Sequence, residues 1–398
     1  MGSLQMAKVS AEYVEETTER VKEENAFVRH LDLVLIAPVW LMYLFSYADR
    51  TNIGNAKIAG MMDDLHLSSG EYSLALVIFF ISYIVFQMPS NLILSKTRPS
   101  VYLPGMMILW GVVTCCMATV KSFHSLLVVR FVLGVLEAGF GPGVSLLLSS
   151  WYKRAEQAKR FSVFYSAAVL SGAFGGIVAG AITGSLDGAR GLSGWRWLFI
   201  VEGAATIACA IISAFFLPDF PATTKRFSVR EKEIAIERLI DDQISTRTED
   251  SQPMRAWDSV WNSLTNWRTW LLTIGYTTIG GSATMSYFYP TLVEGMGYTS
   301  HMAQYMVVPI YAVAFVAVIC TGYLCDKFWN NRGAVIAGCM ALSMLFGISL
   351  RASLVNVAAD TQDLVIHHSD EDHSTICTAH EFYIVEALTY ILLEPLFA

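Results

Sequence analysis

Nine stretches of this chain are apolar for close to the roughly 20 residues that an α-helix needs to cross the hydrocarbon of a bilayer. They lie at about 33–58, 73–94, 101–120, 125–149, 161–184, 195–217, 267–290, 301–324 and 333–350. That recurrence restricts the fold to an all-α polytopic membrane protein. Composition agrees: 54% of the 398 residues are hydrophobic and 15% are charged, where a soluble domain carries about a quarter charged residues.

The basic residues are distributed by topology and not gathered into a patch, so the formal charge of -7 implies no nucleic-acid partner. Lys96 and Arg98 follow the second span, Lys153, Arg154, Lys159 and Arg160 the fourth, a long basic loop the sixth, and Lys327 and Arg332 the eighth. The alternate loops hold Lys121, Arg190 and the acids Asp63, Asp64, Glu71 and Glu294. By the positive-inside rule the N-terminus is cytosolic and odd spans run outward, most simply at the plasma membrane. Six of the seven cysteines lie in or beside apolar segments, which argues for packed thiols and against a disulfide framework. The charged start of the chain lacks the apolar core of a signal peptide, and Met6 stands where a myristoylation motif wants Ser or Thr.

The order of segments predicts five parts. A cytosolic tail occupies 1–31, a complete six-helix bundle 32–217, and a cytosolic linker 218–266; three helices of a second bundle fill 267–351 and an atypical tail 352–398. Pro218 and Pro221 stop the sixth helix. In the linker, Ser228 and Glu231 form a capping box ahead of a short helix whose apolar stripe is Ile234, Leu239 and Ile240. That stripe suits the membrane face or the bundle underside, or else the helix is a solvated connector. In the fifth span Gly172, Gly176, Gly180 and Gly184 recur every four residues and form one ridge on which another backbone can pack closely.

Four charges stand where lipid rejects them: Asp49 and Arg50 in the first span, Arg130 and Glu137 in the fourth. Each ionised group at mid-bilayer costs roughly 2.5 to 3.5 kcal/mol, so four cost about 10 kcal/mol uncompensated. That sum rivals the whole stability of a domain, on the order of 5 to 15 kcal/mol. The charges must pair with one another or face a hydrated cavity. Arg130 and Glu137 share a helix face but sit about 10.5 Å apart along the axis, and neighbouring Asp49 and Arg50 diverge by about 100°. Exchange between helices is therefore expected, Asp49 with Arg130 and Arg50 with Glu137. An organic anion arriving at an arginine would compete with the carboxylate, which would then bind a proton. The alternative is two static buried ion pairs, which stabilise poorly compared with apolar packing.

Tyr47, Tyr83 and Gln87 lie in or near the same spans and can bind a carboxylate or hydroxyl ligand or simply pack. Arginines 50 and 130 with Tyr47 and Tyr83 make the candidate substrate site, and Asp49 and Glu137 the proton-coupling pair. After the eighth span, "GYLCDKFWNNRG" places Gly322, Asp326, Lys327 and Arg332 in a tight hairpin. It echoes Lys96 and Arg98 after the second span, as parallel repeats would, and such residues can bridge helix ends and hold one conformation closed. Pro142, Pro290 and Pro309 mark kinks. No nucleotide loop, nucleophile motif or metal-ligand spacing is present, so neither an enzyme nor a cofactor is indicated.

With these residues in view the chain resembles the major facilitator superfamily, in its anion:cation symporter group and the fungal allantoate and nicotinate permease-like branch. The matching stretches are "YADRTNIGNA", "RFVLGVLEAGFGPG" with "SSWYKRAEQAKR", "GWRWLFIVEG", "LPDFPATTKRF" and "GYLCDKF". In related carriers of sugar acids and organic anions, residues matching Asp49, Arg50, Arg130 and Glu137 take part in proton coupling and anion binding. The resemblance thus implies proton-coupled import of a small organic anion such as nicotinate, allantoate, pantothenate or biotin.

Two departures qualify it. The fifth span lacks the Gly-Pro pattern of antiporters, which favours uptake over export of a secondary metabolite. After Arg351 the chain leaves the family pattern for a polar run and a last apolar piece carrying Glu386 and Glu394. That change reads as a frameshift, retained intron or early stop, and the expected consequence is poor transport or a sensor or scaffold role. His367, His368, His373 and His380 in this tail are read as part of a disordered polar segment and not as a metal site. Nothing in the sequence assigns an oligomeric state.

Overall fold

A computed structural model describes residues 19–241, 289–295 and 300–327, with scattered positions between 261 and 273 and at 298, 334, 338 and 341. Every regular element among the described residues is a helix. In chain order the helices are α1 (Glu19–Asp64), α2 (Ser69–Leu94), α3 (Pro99–Met117), α4 (Phe123–Glu137), α5 (Phe140–Ser149), α6 (Arg154–Ser185), α7 (Gly194–Phe216), α8 (Val229–Asp241), α9 (Tyr289–Gly295) and α10 (Ser300–Lys327). Among the described residues seven helices are long and apolar enough to cross a membrane, α4 and α5 counting together as one. They match the first six expected spans and the eighth. Most of the seventh span, all but isolated positions of the ninth, and the whole His-containing tail lie outside the described residues.

Local chemistry sets several of these boundaries. Ser68 caps α2 and Ser122 caps α4 through reciprocal bonds with Glu71 and Ser125, which occupy amides that have no partner within the helix. Pro99 begins α3, where a missing N–H does no harm. Two boundaries differ from the sequence reading. The first helix is already formed at Glu19, the first described residue and well before the apolar run, because residues 19–31 are helix formers held by ion pairs to α8 and to the start of α6. The fourth span is broken after Glu137, so α4 and α5 are separate helices. At the break, a Cβ on Gly139 would overlap the Ser90 side chain.

Packing around α1 builds the bundle. Helix α1 lies against α6 and α7, α3 against α7, and α2 against α4. Leu35, Met42, Trp110, Phe140 and Phe164 are fully enclosed in the largest apolar core. Its outward faces carry Val77, Ile81, Ile84, Val85 and Met88 of α2 and Ile211, Ile212, Phe215 and Phe216 of α7. Such a belt is unusual on a soluble monomer and suits contact with lipid tails.

The fifth-span ridge is where the eighth span docks. A Cβ on Gly172 would overlap the Tyr311 ring, one on Gly176 would lie 2.7 Å from the Gln304 carbonyl oxygen, and one on Gly180 2.7 Å from Tyr305 Cζ. Helix α10 thus approaches α6 to a distance that side chains would forbid. Gly184 has open space around it and takes no part in this contact.

The linker helix α8 packs on the underside of the bundle. Ser228 and Glu231 form the expected capping box, with the Ser228 N–H donating to Glu231 over 2.8 Å. Ile234 and Leu239 are buried, whereas Ile240 is exposed, since Ala235 fills the stripe in its place. Lys96 and Arg98 are exposed after α2. Gly322 and Asp326 fall in the last two turns of α10 and Lys327 ends it, while Arg332 lies outside the described residues.

Candidate functional site

Asp49, Arg50, Arg130 and Glu137 are all buried inside the helix bundle, none more than 8% exposed. Their placement follows from helix geometry. Positions 46, 49, 50 and 52 of α1 fall on the arc that faces α4 and α7, and 130 and 137 lie two turns apart on one side of α4. Arg50 donates from Nε to Glu137 Oε1 over 2.5 Å, the pairing expected between these two residues. The Ser46 hydroxyl donates to the same oxygen over 2.6 Å. Glu137 Oε2 is buried without a hydrogen bond among the described residues.

Arg50 is also enclosed by aromatic faces. Its guanidinium carbon lies 5.1 Å from the centre of the Tyr47 ring and 4.6 Å from that of Tyr83. Both tyrosines therefore meet the arginine, through cation–π contact. A planar ligand anion could replace one ring face without stripping the guanidinium of all its partners.

Asp49 uses different neighbours. Trp110 Nε1 of α3 and the Thr206 hydroxyl of α7 both donate to its Oδ2, over 3.1 and 3.0 Å. Arg130, 1% exposed, stands close enough for its charge to act on this carboxylate. The site is thus assembled from five helices, α1, α2, α3, α4 and α7, with α1 at its centre.

Sequence reading missed Ser46, Trp110, Thr206 and Glu202. The first three carry no charge, and the apolar runs around them resemble any span. Glu202 is a different omission: a fifth ionisable group inside an apolar run, 3% exposed in the middle of α7. Counting every acid within the apolar stretches, and not only those beside an arginine, would have found it.

The helix start that precedes Glu202 is tightly located. Ser193 and the Trp195 indole donate to Asp64 at the end of α1, the latter over 2.8 Å. Arg196 donates to the carbonyls of Ala118 and Val120 beyond α3. Lower down, Gly111 and Gly203 let α3 and α7 nearly touch, since a Cβ on Gly203 would lie 2.8 Å from the Gly111 oxygen. These contacts fix which face of α7 turns toward Asp49.

A family description for the Major Facilitator Superfamily matches residues 39–361. The "MFS transporter prlL" of a fungal species is 37% identical over 333 residues, which are 81% of this chain and 65% of that protein. The high-affinity nicotinic acid transporter of Saccharomyces cerevisiae is 30% identical over 84% of this chain and 61% of its own. A protein of Agrobacterium vitis named provisionally for tartrate transport is 31% identical over 84% and 78%. The chain therefore spans just under two thirds of the first of these relatives. Among solved structures, an inward-facing and occupied bacterial homolog of the human lysosomal transporter Spinster superposes with a TM-score of 0.61 at 17% identity, over 91% of this chain and 72% of that one. That likeness is one of fold. Seven membrane-length helices, a polar cluster at their centre and a family match over most of the chain agree, and the protein is a multi-pass membrane protein that belongs to the Major Facilitator Superfamily, in its fungal permease-like branch.

Proposed function

We propose that this protein carries a small organic anion across a membrane together with protons, and that the Arg50–Glu137 pair is where the two cargoes compete. The observation that carries the reading is the buried 2.5 Å ion pair, with Tyr47 and Tyr83 against its cation and Asp49 and Arg130 in the same bundle interior. A carboxylate that engages Arg50 takes the place of Glu137. The displaced acid, enclosed and losing its counterion, binds a proton, so substrate and proton enter together.

Arg130 supplies the second cationic contact, and its charge keeps Asp49 poised for the same exchange. The named activities of the relatives, nicotinic acid and tartrate, are both carboxylate cargoes and suit this chemistry. The loop charges favour an N-terminus and a linker in the cytosol, and the absence of the antiporter Gly-Pro pattern from the fifth span favours import, at the plasma membrane. Rocking of two bundles about the site would alternate its access; Lys96, Arg98, Gly322, Asp326, Lys327 and Arg332 would then secure the closed end, with the Gly172, Gly176 and Gly180 ridge as the sliding contact.

The test is uptake of labelled nicotinate and tartrate by purified protein in liposomes, with and without an inside-alkaline pH gradient. Gradient-driven uptake supports the proposal. Uptake indifferent to the gradient contradicts the coupling, and absence of carboxylate uptake by this chain contradicts the assigned activity in favour of the alternative sensor or scaffold role.

A further inference from the structure

Glu202 lies where an apolar side chain would be the ordinary choice. The enclosed face of α7 runs through Trp195, Phe199, Glu202, Thr206, Cys209 and Ser213, at the three- and four-residue spacing of a packed helix stripe. Trp195 is seven residues earlier on the same face, about 10.5 Å along the axis. Glu202 therefore sits well inside the bundle and far from any helix end.

The surroundings offer it little. Neither carboxylate oxygen has a hydrogen bond among the described residues. Asn52 of α1 is its polar neighbour, close enough to act on the carboxylate although neither atom of that buried amide reaches full hydrogen-bond geometry. The charge that reaches it is that of Asp49, another acid. On α3 the Cys115 thiol, beside the neighbouring Gly203, is turned to the Ile200 carbonyl, and the buried Thr114 hydroxyl has no hydrogen bond among the described residues. From α4 both the Glu137 carboxylate and, more weakly, the Arg130 guanidinium act on Asp49, and Lys57 is turned to the Tyr72 ring, 5.0 Å from its centre. The charged residues of α6 are at its opposite end, between Arg154 and Arg160.

Two enclosed carboxyls, of which Asp49 acts on Glu202, also feels Glu137 and is alone in feeling a cation, cannot both be ionised at small cost. We propose that Glu202 is a proton-binding residue of this protein, sharing one proton with Asp49 between α7 and α1. Transfer between them breaks one O–H bond and forms another without changing the net charge. Their loading is coupled: ionising one acid strengthens the hold of the other on the proton. Asn52 and Thr206 lie beside the two acids and provide the amide and hydroxyl through which a bound water can connect them. The protonated state rests on packing alone, whereas its use in transport rests on the proposed function.

The two parts separate experimentally. In purified protein reconstituted in lipid bilayers, infrared spectra taken across pH report protonated carboxyls by their C=O stretch. Glu202→Gln should remove one such band at neutral pH, while Asp49→Asn should move the upper titration step of the remaining carboxyl down by about one unit or more. A spectrum unchanged by Glu202→Gln overturns the proposal, and so does a Glu202 titration indifferent to Asp49→Asn. If Glu202→Gln fails to fold, the Asp49→Asn titration decides alone. In the liposome assay, Glu202→Gln should reduce the protons carried per anion; unchanged coupling would overturn its part in transport. Uptake without any proton dependence, with both bands behaving as expected, would instead sink the proposed function and leave the shared proton standing.

Discussion

The linker end of the bundle and its centre both bury charged side chains, yet they satisfy them differently. At the linker end, Arg238 is almost enclosed and donates to Glu24 and Glu156 over 2.7 and 2.6 Å. Lys153 adds a 2.7 Å contact to Glu24, and Arg160 grips both oxygens of Asp32. Tyr152 lies against the same cluster, where burial and the Asp32 charge push its phenol up. Each named charge there meets its opposite. At the centre, Asp49 is held by a neutral indole and a hydroxyl, and among the described residues one Glu137 oxygen lacks a hydrogen bond and Glu202 has the Asn52 amide beside it but no cation.

The contrast separates a fastener from a working site. A network in which each charge is matched by an opposite one ties α1, α6 and α8 together, although Glu156 Oε2 and Arg238 Nη1 have no hydrogen bond among the described residues, and its charges gain little from a new ion. A group left short of partners gains from a ligand or a proton, and so can respond to one. The predictions below test that division.

The largest effect belongs to the centre. Glu137→Ala leaves Arg50 buried without its acid and should lower stability by about 3–5 kcal/mol, read as a fall in unfolding temperature in detergent. A loss comparable to a surface substitution would show that the pair is already hydrated. Arg238→Ala should cost about 1.5–3 kcal/mol by removing charge-assisted bonds. Hydrogen exchange should rise in α8 and the start of α1 but not around Trp110.

The ridge of α6 tests a contact that belongs to neither region. Gly172→Val drives a side chain into Tyr311 and should cost about 1–3 kcal/mol, whereas Gly184→Val, with open space around it, should be near neutral. Equal effects would mean that α10 does not dock on that ridge.

The smallest effect concerns Glu231. Partial burial pushes its carboxyl up, but the Ser228 N–H, the His30 ring and the Ser228 hydroxyl outweigh this and hold it below its ordinary 4.5. A lowered value means stability that is present above 4.5 and lost as pH falls through the folded value. Glu231→Gln should remove under about 1 kcal/mol of that acid-sensitive stability, because the group is near the surface. Unfolding temperatures of the two proteins should converge below pH 4.5; a gap that widens in acid would contradict the assignment.

Much of this was legible in the sequence. Membrane-length apolar runs announced the helices, and the Ser228 to Glu231 spacing announced the cap of α8. The Asp49, Arg50, Arg130 and Glu137 set stood out because lipid excludes charge. The start of α1 was hidden because residues 19–31 owe their order to ion pairs with residues more than a hundred positions away. The break after Glu137 was hidden because it depends on how closely Ser90 approaches Gly139. Trp110 and Thr206 are ordinary residues until folding sets them beside Asp49, and Ile240 obeyed the helical period but fell outside the face that Ala235 completes.

The most direct test of the centre as the working site is the pH dependence of anion uptake in liposomes for Glu137→Gln beside Arg238→Ala. Glutamine keeps the size of Glu137 and can still accept from Arg50 and Ser46, but it cannot take up a proton. The account predicts that Glu137→Gln flattens the pH dependence by about tenfold or more across the acid range, equivalent to a lost coupling of about 1.4 kcal/mol, while Arg238→Ala keeps its pH profile. Full pH dependence in Glu137→Gln, or its loss in Arg238→Ala with the fold intact, would contradict it.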